Sequence, residues 1–350
     1  MAIGARSRRL PVVGAGERGV PIGGLGFDWT MIGLSSWIMA GALLDAWAHT
    51  HILSTLESFF TPWHGILYSG FLAASGFLVL AFYRNRAQGY AWRRAVPRGY
   101  ELSLIAMLIF AFGGVGDMLW HTLFGIEVNL EAALSPTHLI LALGIVLFLT
   151  GPFRAAWRRH DPAKPGWLTQ LPMLLSLAYA LSIMNLLTEF AHPLANPLAA
   201  TSVGGQTGEM LGVASVMVQS ALLMGWVLLL VRRWRLVPGA FTFLFTLNAL
   251  LLSILQDHWF LVPAALGAGI VADLLHAQLQ PSTGRPTVLR IFAFAVPAVY
   301  YLLYFIDLMV AKEVVWTVHL WVGSVFIAGL VGLTLSYLLV PPVLPMDEAA

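Results

Sequence analysis

The chain has 350 residues, of which 59% are hydrophobic and only 10% are charged, and its mean hydropathy is +0.80. Because soluble domains carry about 25% charged residues, this composition excludes an ordinary soluble domain and predicts an integral membrane protein. The chain contains no cysteine, which excludes disulfides and thiolate metal sites and leaves nitrogen and oxygen ligands for any metal. The 19 basic residues are scattered, so nucleic acid is not an expected partner.

Apolar runs near the 20 or so residues that cross a bilayer predict an all-α, polytopic membrane helical bundle with about ten transmembrane helices. In chain order the predicted spans are approximately 29 to 51, 62 to 83, 100 to 122, 135 to 156, 168 to 190, 209 to 231, 238 to 259, 261 to 279, 288 to 310 and 315 to 339. Eight or nine spans remain open, because only a minimal turn separates two apolar runs before Pro263. We expect residues 1–28 to form a basic tail without a signal-peptide core, 29–340 a single transmembrane domain, and 341–350 a C-terminal tail.

Basic residues fall in alternate predicted loops and thereby predict the orientation of the chain. Lys312 is the only basic residue between spans on the side opposite to the arginine-rich loops. The positive-inside rule then puts both termini in the cytoplasm of a plasma-membrane protein. Most histidines and acidic residues fall on the other, outer side, where the rule gives no reason for histidines to collect.

Two segments repeat one arrangement of polar residues. In DAWAHTHILSTLESFFTPWH, Asp45 and His49 are four residues apart and therefore lie one above the other on a helix face. A loop with Glu57 and a returning Pro-x-His at His64 follow. The second segment has the same order, D-x3-H-T, an acidic loop and P-x-H, and its members are Asp117, His121, Glu131 and His138.

Weaker versions of this pattern occur near the outer ends of the later predicted hairpins. They suggest a fold of repeated helical hairpins, at about 29–83, 100–156, 168–231, 238–279 and 288–339. The later hairpins and His51 of the first segment supply additional candidate ligands. These are His51, Glu189, His192, Asp257, His258, Asp307 and His319.

Imidazole and carboxylate together predict a metal site near the outer face. These ligands suit copper, iron or zinc without distinguishing among them. Carboxylates inside a membrane are energetically costly, and where they occur they commonly mark a functional site. The predicted ligands are Asp45, His49, His64, Asp117, His121 and His138. Glu57 and Glu131 are candidate general bases, or simply solvated loop residues. The glycines Gly113, Gly114 and Gly116 predict a close helix approach beside Asp117.

D-x3-H followed by a later histidine resembles the metal-binding helix pair of the C subunit in copper-dependent membrane monooxygenases, where an Asp and two His occupy comparable roles within the membrane. The matching trios here are Asp45, His49 and His64, and Asp117, His121 and His138. The gap to the last histidine is longer than in that family, the motif occurs twice, and the match covers about a tenth of the chain.

Three functional hypotheses follow. The first is a metal-dependent membrane enzyme, an oxidoreductase of monooxygenase type or a zinc-type hydrolase, acting on a small apolar or lipidic substrate. The second is a divalent-metal transporter, in which Asp273 and His276 form the next station inward. The third is a metal-handling or assembly subunit with partner subunits in the membrane. The apolar character of spans 1 to 4 below the outer site favours the enzyme.

Overall fold

A computed structural model describes residues 21–52, 59–125, 130–159, 166–311 and 314–341. The described residues are 82% helical and include no strand. The helices are α1 (Leu25–His51), α2 (Pro62–Ala87), α3 (Trp92–Ala95), α4 (Glu101–Phe124), α5 (Leu130–Leu134), α6 (Pro136–Leu149), α7 (Gly151–Trp157), α8 (Trp167–Leu187), α9 (Gly205–Arg233), α10 (Ala240–Gln256), α11 (Val262–Leu279), α12 (Pro286–Ala311) and α13 (Val318–Leu339). Of the predicted tails, the described residues include only 21–28 and 341, and α1 begins at Leu25, within the predicted N-terminal tail.

Within these residues, eight helices are long and apolar enough to cross a membrane, and nine if α6 and α7, which meet at a bend of 40°, form one span. About ten spans are therefore not confirmed, and the number lies within the eight or nine that the sequence left open. The seventh predicted span, 238 to 259, corresponds to α10, which has only 17 residues. Gly239 precedes α10 and Asp257 follows it, and both have left-handed backbone dihedrals that do not continue a helix.

The two helices that return from the predicted acidic loops begin with the same local chemistry. The side chain of Thr61 caps α2 by accepting a hydrogen bond from the amide of His64, and Ser135 caps α6 by accepting one from the amide of His138. A proline follows each cap, at a position where its missing N–H costs nothing. Each histidine therefore lies in the first turn of its helix.

The helices pack as neighbouring antiparallel pairs around α8. The first pair is α1 with α2, the second is α4 with α6, and α8 contacts both α1 and α6. Further along the chain α10, α11, α12 and α13 pack in sequence, and α9 closes against α13. The centre of α8, residues 176–183, is buried on all sides, so α8 is a central helix of the bundle.

The arginine-rich ends of the helices have their own buried polar contacts. Asp28, fully buried in the first turn of α1, accepts a hydrogen bond of 2.7 Å from the hydroxyl of Tyr100 and pairs with Arg159. Along α2, His64 lies in the first turn and Arg84 and Arg86 in the last. The histidine-rich and arginine-rich ends are thus opposite ends of the same helices.

Candidate metal centre

The six predicted ligands form two groups of three. In the first trio, Asp45 and His49 come from the end of α1 and His64 from the start of α2; in the second, Asp117 and His121 come from the end of α4 and His138 from the start of α6. Within each trio the candidate ligand atoms all lie within 4.8 Å of one another. Each trio is a complete set of two histidines and one carboxylate.

The distances within the trios are close to those of a coordination sphere. From the Asp45 carboxylate, His64 Nε2 lies at 3.1 Å and His49 Nε2 at 4.0 Å. From the Asp117 carboxylate, His121 Nε2 lies at 3.5 Å and His138 Nε2 at 3.3 Å. Ligand bonds of about 2.0–2.2 Å place two ligands of one tetrahedral zinc roughly 3.3 Å apart, so only small movements separate either trio from a metal geometry.

Hydrogen bonds to backbone carbonyls orient two of the rings. The Nδ1–H of His64 donates to the carbonyl oxygen of Phe59 at 2.5 Å, and that of His121 donates to the carbonyl of Gly125 at 3.3 Å. Since a carbonyl can only accept, the Nε2 of each neutral ring carries a lone pair towards its aspartate. Two electron-rich atoms at this separation need a proton or a metal ion between them. Metal-binding histidines commonly have their second nitrogen fixed in this way.

The two carboxylates are held differently. Asp117 is buried, with 2% of its surface exposed, and its Oδ1 accepts a hydrogen bond of 2.9 Å from the hydroxyl of Thr137. The buried Oδ1 of Asp45 has no hydrogen bond of good geometry within the described residues, although His64 Nε2 is close. A buried oxygen without a partner is costly, and a cation bound in the first trio would satisfy it.

The two hairpins make equivalent contacts below their trios. A Cβ on Gly41, four residues before Asp45, would lie 2.5 Å from backbone atoms of Leu67. A Cβ on Gly113, four residues before Asp117, would lie 3.1 Å from the amide nitrogen of Leu141. Each leucine is three residues after its returning histidine. The close approach predicted beside Asp117 is therefore confirmed, and its counterpart is present beside Asp45.

Both trios face one cavity of about 420 Å³. Asp45, His49 and His64 of the first trio line it, as do Asp117 and His138 of the second. Most of the other lining residues are apolar, and they include Leu67, Phe110, Leu141, Ile145, Ile183 and Leu186. A volume of this size accommodates a small ligand.

Two aromatic side chains lie between the trios. The ring of Phe59 is 4.9 Å from that of His64 and 6.3 Å from that of His121. Tyr68, one turn after His64, lines the cavity beside Gly114, whose missing side chain leaves room for the Tyr68 ring. The ring of His49 is within electrostatic range of His64, His121 and His138. The trios are separate groups, but they are close neighbours.

Of the additional predicted residues, only Glu189 lines this cavity. His51 contacts Asp257 at 3.3 Å and stacks on Trp47. His258 donates to the carbonyl of Leu194, Asp307 accepts from the amide of Ala264, and His319 is exposed. None of these joins a trio.

His192 is buried elsewhere, in a cleft between α8, α9, α10 and α12. Its Nδ1 accepts a hydrogen bond of 3.1 Å from the amide of Leu194. Burial lowers the pKa of His192 to about 3, so its ring is neutral.

The two candidate general bases are not seen at the trios. Glu57 lies outside the described residues. Glu131 is exposed on the short helix α5 and is not among the residues that line the cavity.

The predicted inner pair has a structural contact. The Asp273 carboxylate accepts hydrogen bonds from the amides of Phe241 and Thr242 and from the Thr242 hydroxyl, with distances of 2.6–3.2 Å. It thereby caps the first turn of α10. His276 lies near it, against the rings of Phe241 and Phe292. Both line a second cavity, at the arginine-rich end of the bundle.

Sequence inspection missed Thr137 and Tyr68, although signals for both were present. Thr137 is the middle residue of the returning Pro-x-His, and the first turn of a helix brings it beside Asp117. Tyr68 is four residues after His64 and therefore on the same helix face.

No family model, no curated protein and no solved structure matches this chain.

Proposed function

We propose that this protein is a membrane-embedded metalloenzyme with two metal sites, one per trio, that open on one cavity and act on a small apolar or lipidic substrate. The observation that carries the proposal is that two trios, each of two histidines and one aspartate, adjoin one cavity, which five of these six residues line. Such a donor set leaves open coordination positions and is typical of non-haem iron oxygenases and of catalytic zinc sites.

The substrate class follows from the cavity wall. Most of the other lining residues are aliphatic or aromatic, so a bound molecule would keep its apolar part among them and present one end to the trios. A metal ion bound in either trio would supply a Lewis acid or a redox centre. The protein's own contribution is to orient the ligands through Phe59, Gly125 and Thr137.

Metal transport is less well supported. A transport path needs polar stations that continue from the outer site towards the cytoplasm. Most residues that line the cavity outside the trios are apolar, and Asp273, the predicted next station, uses both carboxylate oxygens to cap α10. These features favour a site at which chemistry takes place.

We further propose that the trios lie near the outer face of the plasma membrane, with both termini cytoplasmic, and that the first two hairpins are repeats of one unit. The opposite placement of histidines and arginines along α2 supports the orientation. The matching helix caps and glycine contacts of the two hairpins support the repeat.

Elemental analysis of the detergent-purified protein, after mild chelation, tests the proposal. We expect one metal ion per trio in the wild type, loss of one ion in His64→Ala or His138→Ala, and loss of both in the double variant. His51→Ala and His319→Ala serve as controls at the same end of the bundle and should retain both ions. Iron or copper would indicate redox chemistry, and zinc would indicate hydrolysis. Equal metal content in the double variant and the wild type would refute the site.

A further inference from the structure

One carboxyl group in the cavity belongs to neither trio. Glu189 lies in the single turn of 3₁₀ helix that follows α8, and its side chain lines the cavity. Within the described residues, its carboxylate forms no hydrogen bond or ion pair. Burial raises the pKa of Glu189 above that of a free glutamate, because the charged form has no compensating partner.

The turn that carries Glu189 is held from the neighbouring helix. Gln219 of α9 is buried, and its side-chain amide donates to the hydroxyl of Thr188 at 2.9 Å and to the carbonyl of Ala191 at 3.1 Å. These two bonds bracket Glu189 along the chain. The turn that carries Glu189 is therefore held in place by α9.

The charges that face Glu189 across the cavity are those of the trios. The other titratable groups lining the cavity are Asp45, His49, His64, Tyr68, Asp117 and His138, and no described lysine or arginine lines it. A metal ion in either trio would consequently be the main positive charge available to this carboxyl.

We propose that Glu189 is the proton-exchanging group of the cavity. Its carboxylate takes a proton from a molecule bound against the trios; the bond to that proton breaks, its electron pair stays on the bound molecule, and the carboxyl later returns the proton to water. A partly buried carboxyl group with a raised pKa is suited to this role. The inference rests on the proposed function and adds to it a residue from a third hairpin.

Proton release during zinc loading tests this role without knowledge of the substrate. Zinc displaces protons from its ligands, and the nearby cation also favours the charged form of Glu189. At mildly acidic pH we expect zinc chloride to release more protons from the full-length wild-type protein than from Glu189→Gln, with equal zinc content. Glu131→Gln, an exposed glutamate at the same end of the bundle, should match the wild type. Glu189→Asp should restore the additional release, because it keeps a carboxyl group.

The outcomes separate the two proposals. Equal proton release from wild type and Glu189→Gln, with zinc bound in both, would overturn the role of Glu189 and leave the metal sites intact. Loss of zinc from Glu189→Gln would make Glu189 a ligand and also overturn it. Failure of the wild type to bind any metal would refute the proposed function, and this inference with it.

Discussion

The second aspartate depends on a hydroxyl that is not itself a ligand. Thr137 donates a hydrogen bond of 2.9 Å to Asp117, whose carboxylate is almost fully buried. We expect Thr137→Val, which keeps the shape and removes the hydroxyl, to weaken zinc binding at the second trio by about tenfold or more. Competition with a chelator of known affinity measures this. Thr122→Val is the control, since the Thr122 hydroxyl bonds only within its own helix; equal losses in both variants would contradict the assignment.

His192 should make folding pH-dependent. The unfolded chain protonates this imidazole below about pH 6.5, whereas the folded protein, with a His192 pKa of about 3, does not. The free energy of unfolding should therefore fall as the pH is lowered from about 6.5 towards about 3, by up to about 1.4 kcal/mol per pH unit. His192→Asn retains an acceptor for the amide of Leu194 and should have a shallower dependence of unfolding temperature on pH. His319→Asn, which changes an exposed histidine, is the control and should keep the wild-type slope. A wild-type slope in His192→Asn would contradict the argument from burial.

At the scale of helices, the position of each trio depends on a glycine below it. A Cβ on Gly41 would lie 2.5 Å from the backbone of Leu67, so Gly41→Ala must push α1 away from α2 and separate Asp45 from His64. We expect a loss of about 1–3 kcal/mol in the free energy of unfolding and loss of metal from the first trio only. Gly33→Ala, on the same helix with nothing within 4 Å of the new Cβ, should be neutral or slightly stabilising. Full metal content in Gly41→Ala would show that the close contact does not position the trio.

The structure also shows how much of the helical architecture could be predicted. Asp-x3-His predicts a helix end and Pro-x-His a helix start, because both patterns depend only on local helix geometry. Pairing of neighbouring helices then brings the residues of each trio together. The length of α10 could not be predicted from its apolar run. Left-handed dihedrals at Gly239 and Asp257 limit it to 17 residues, and hydropathy does not report such dihedrals.

At the scale of the whole molecule, the contributions of the later hairpins depend on long-range packing. Glu189 and His192 are three residues apart, yet Glu189 lines the cavity beside the trios and His192 lies in a different cleft. The difference arises from the placement of α8 between the first two hairpins and of α9 behind it, which spacing along the sequence does not determine. Similarly, Asp257 is matched by His51, 206 residues away, and this contact keeps both side chains from either trio.

The natural absence of cysteine permits a direct test of how the molecule is oriented. Glu131 and Ser202 are exposed at the histidine-rich end, and Gln88 and Thr283 are exposed at the arginine-rich end. If the arginine-rich end is cytoplasmic, as the positive-inside rule requires, a membrane-impermeant maleimide should label Glu131→Cys and Ser202→Cys in intact cells. It should label Gln88→Cys and Thr283→Cys only after permeabilisation. Each pair is the control for the other, because all four positions are solvent-exposed. The reverse pattern would place both trios at the cytoplasmic face, and a substrate would then have to reach the cavity from inside the cell or from the inner leaflet.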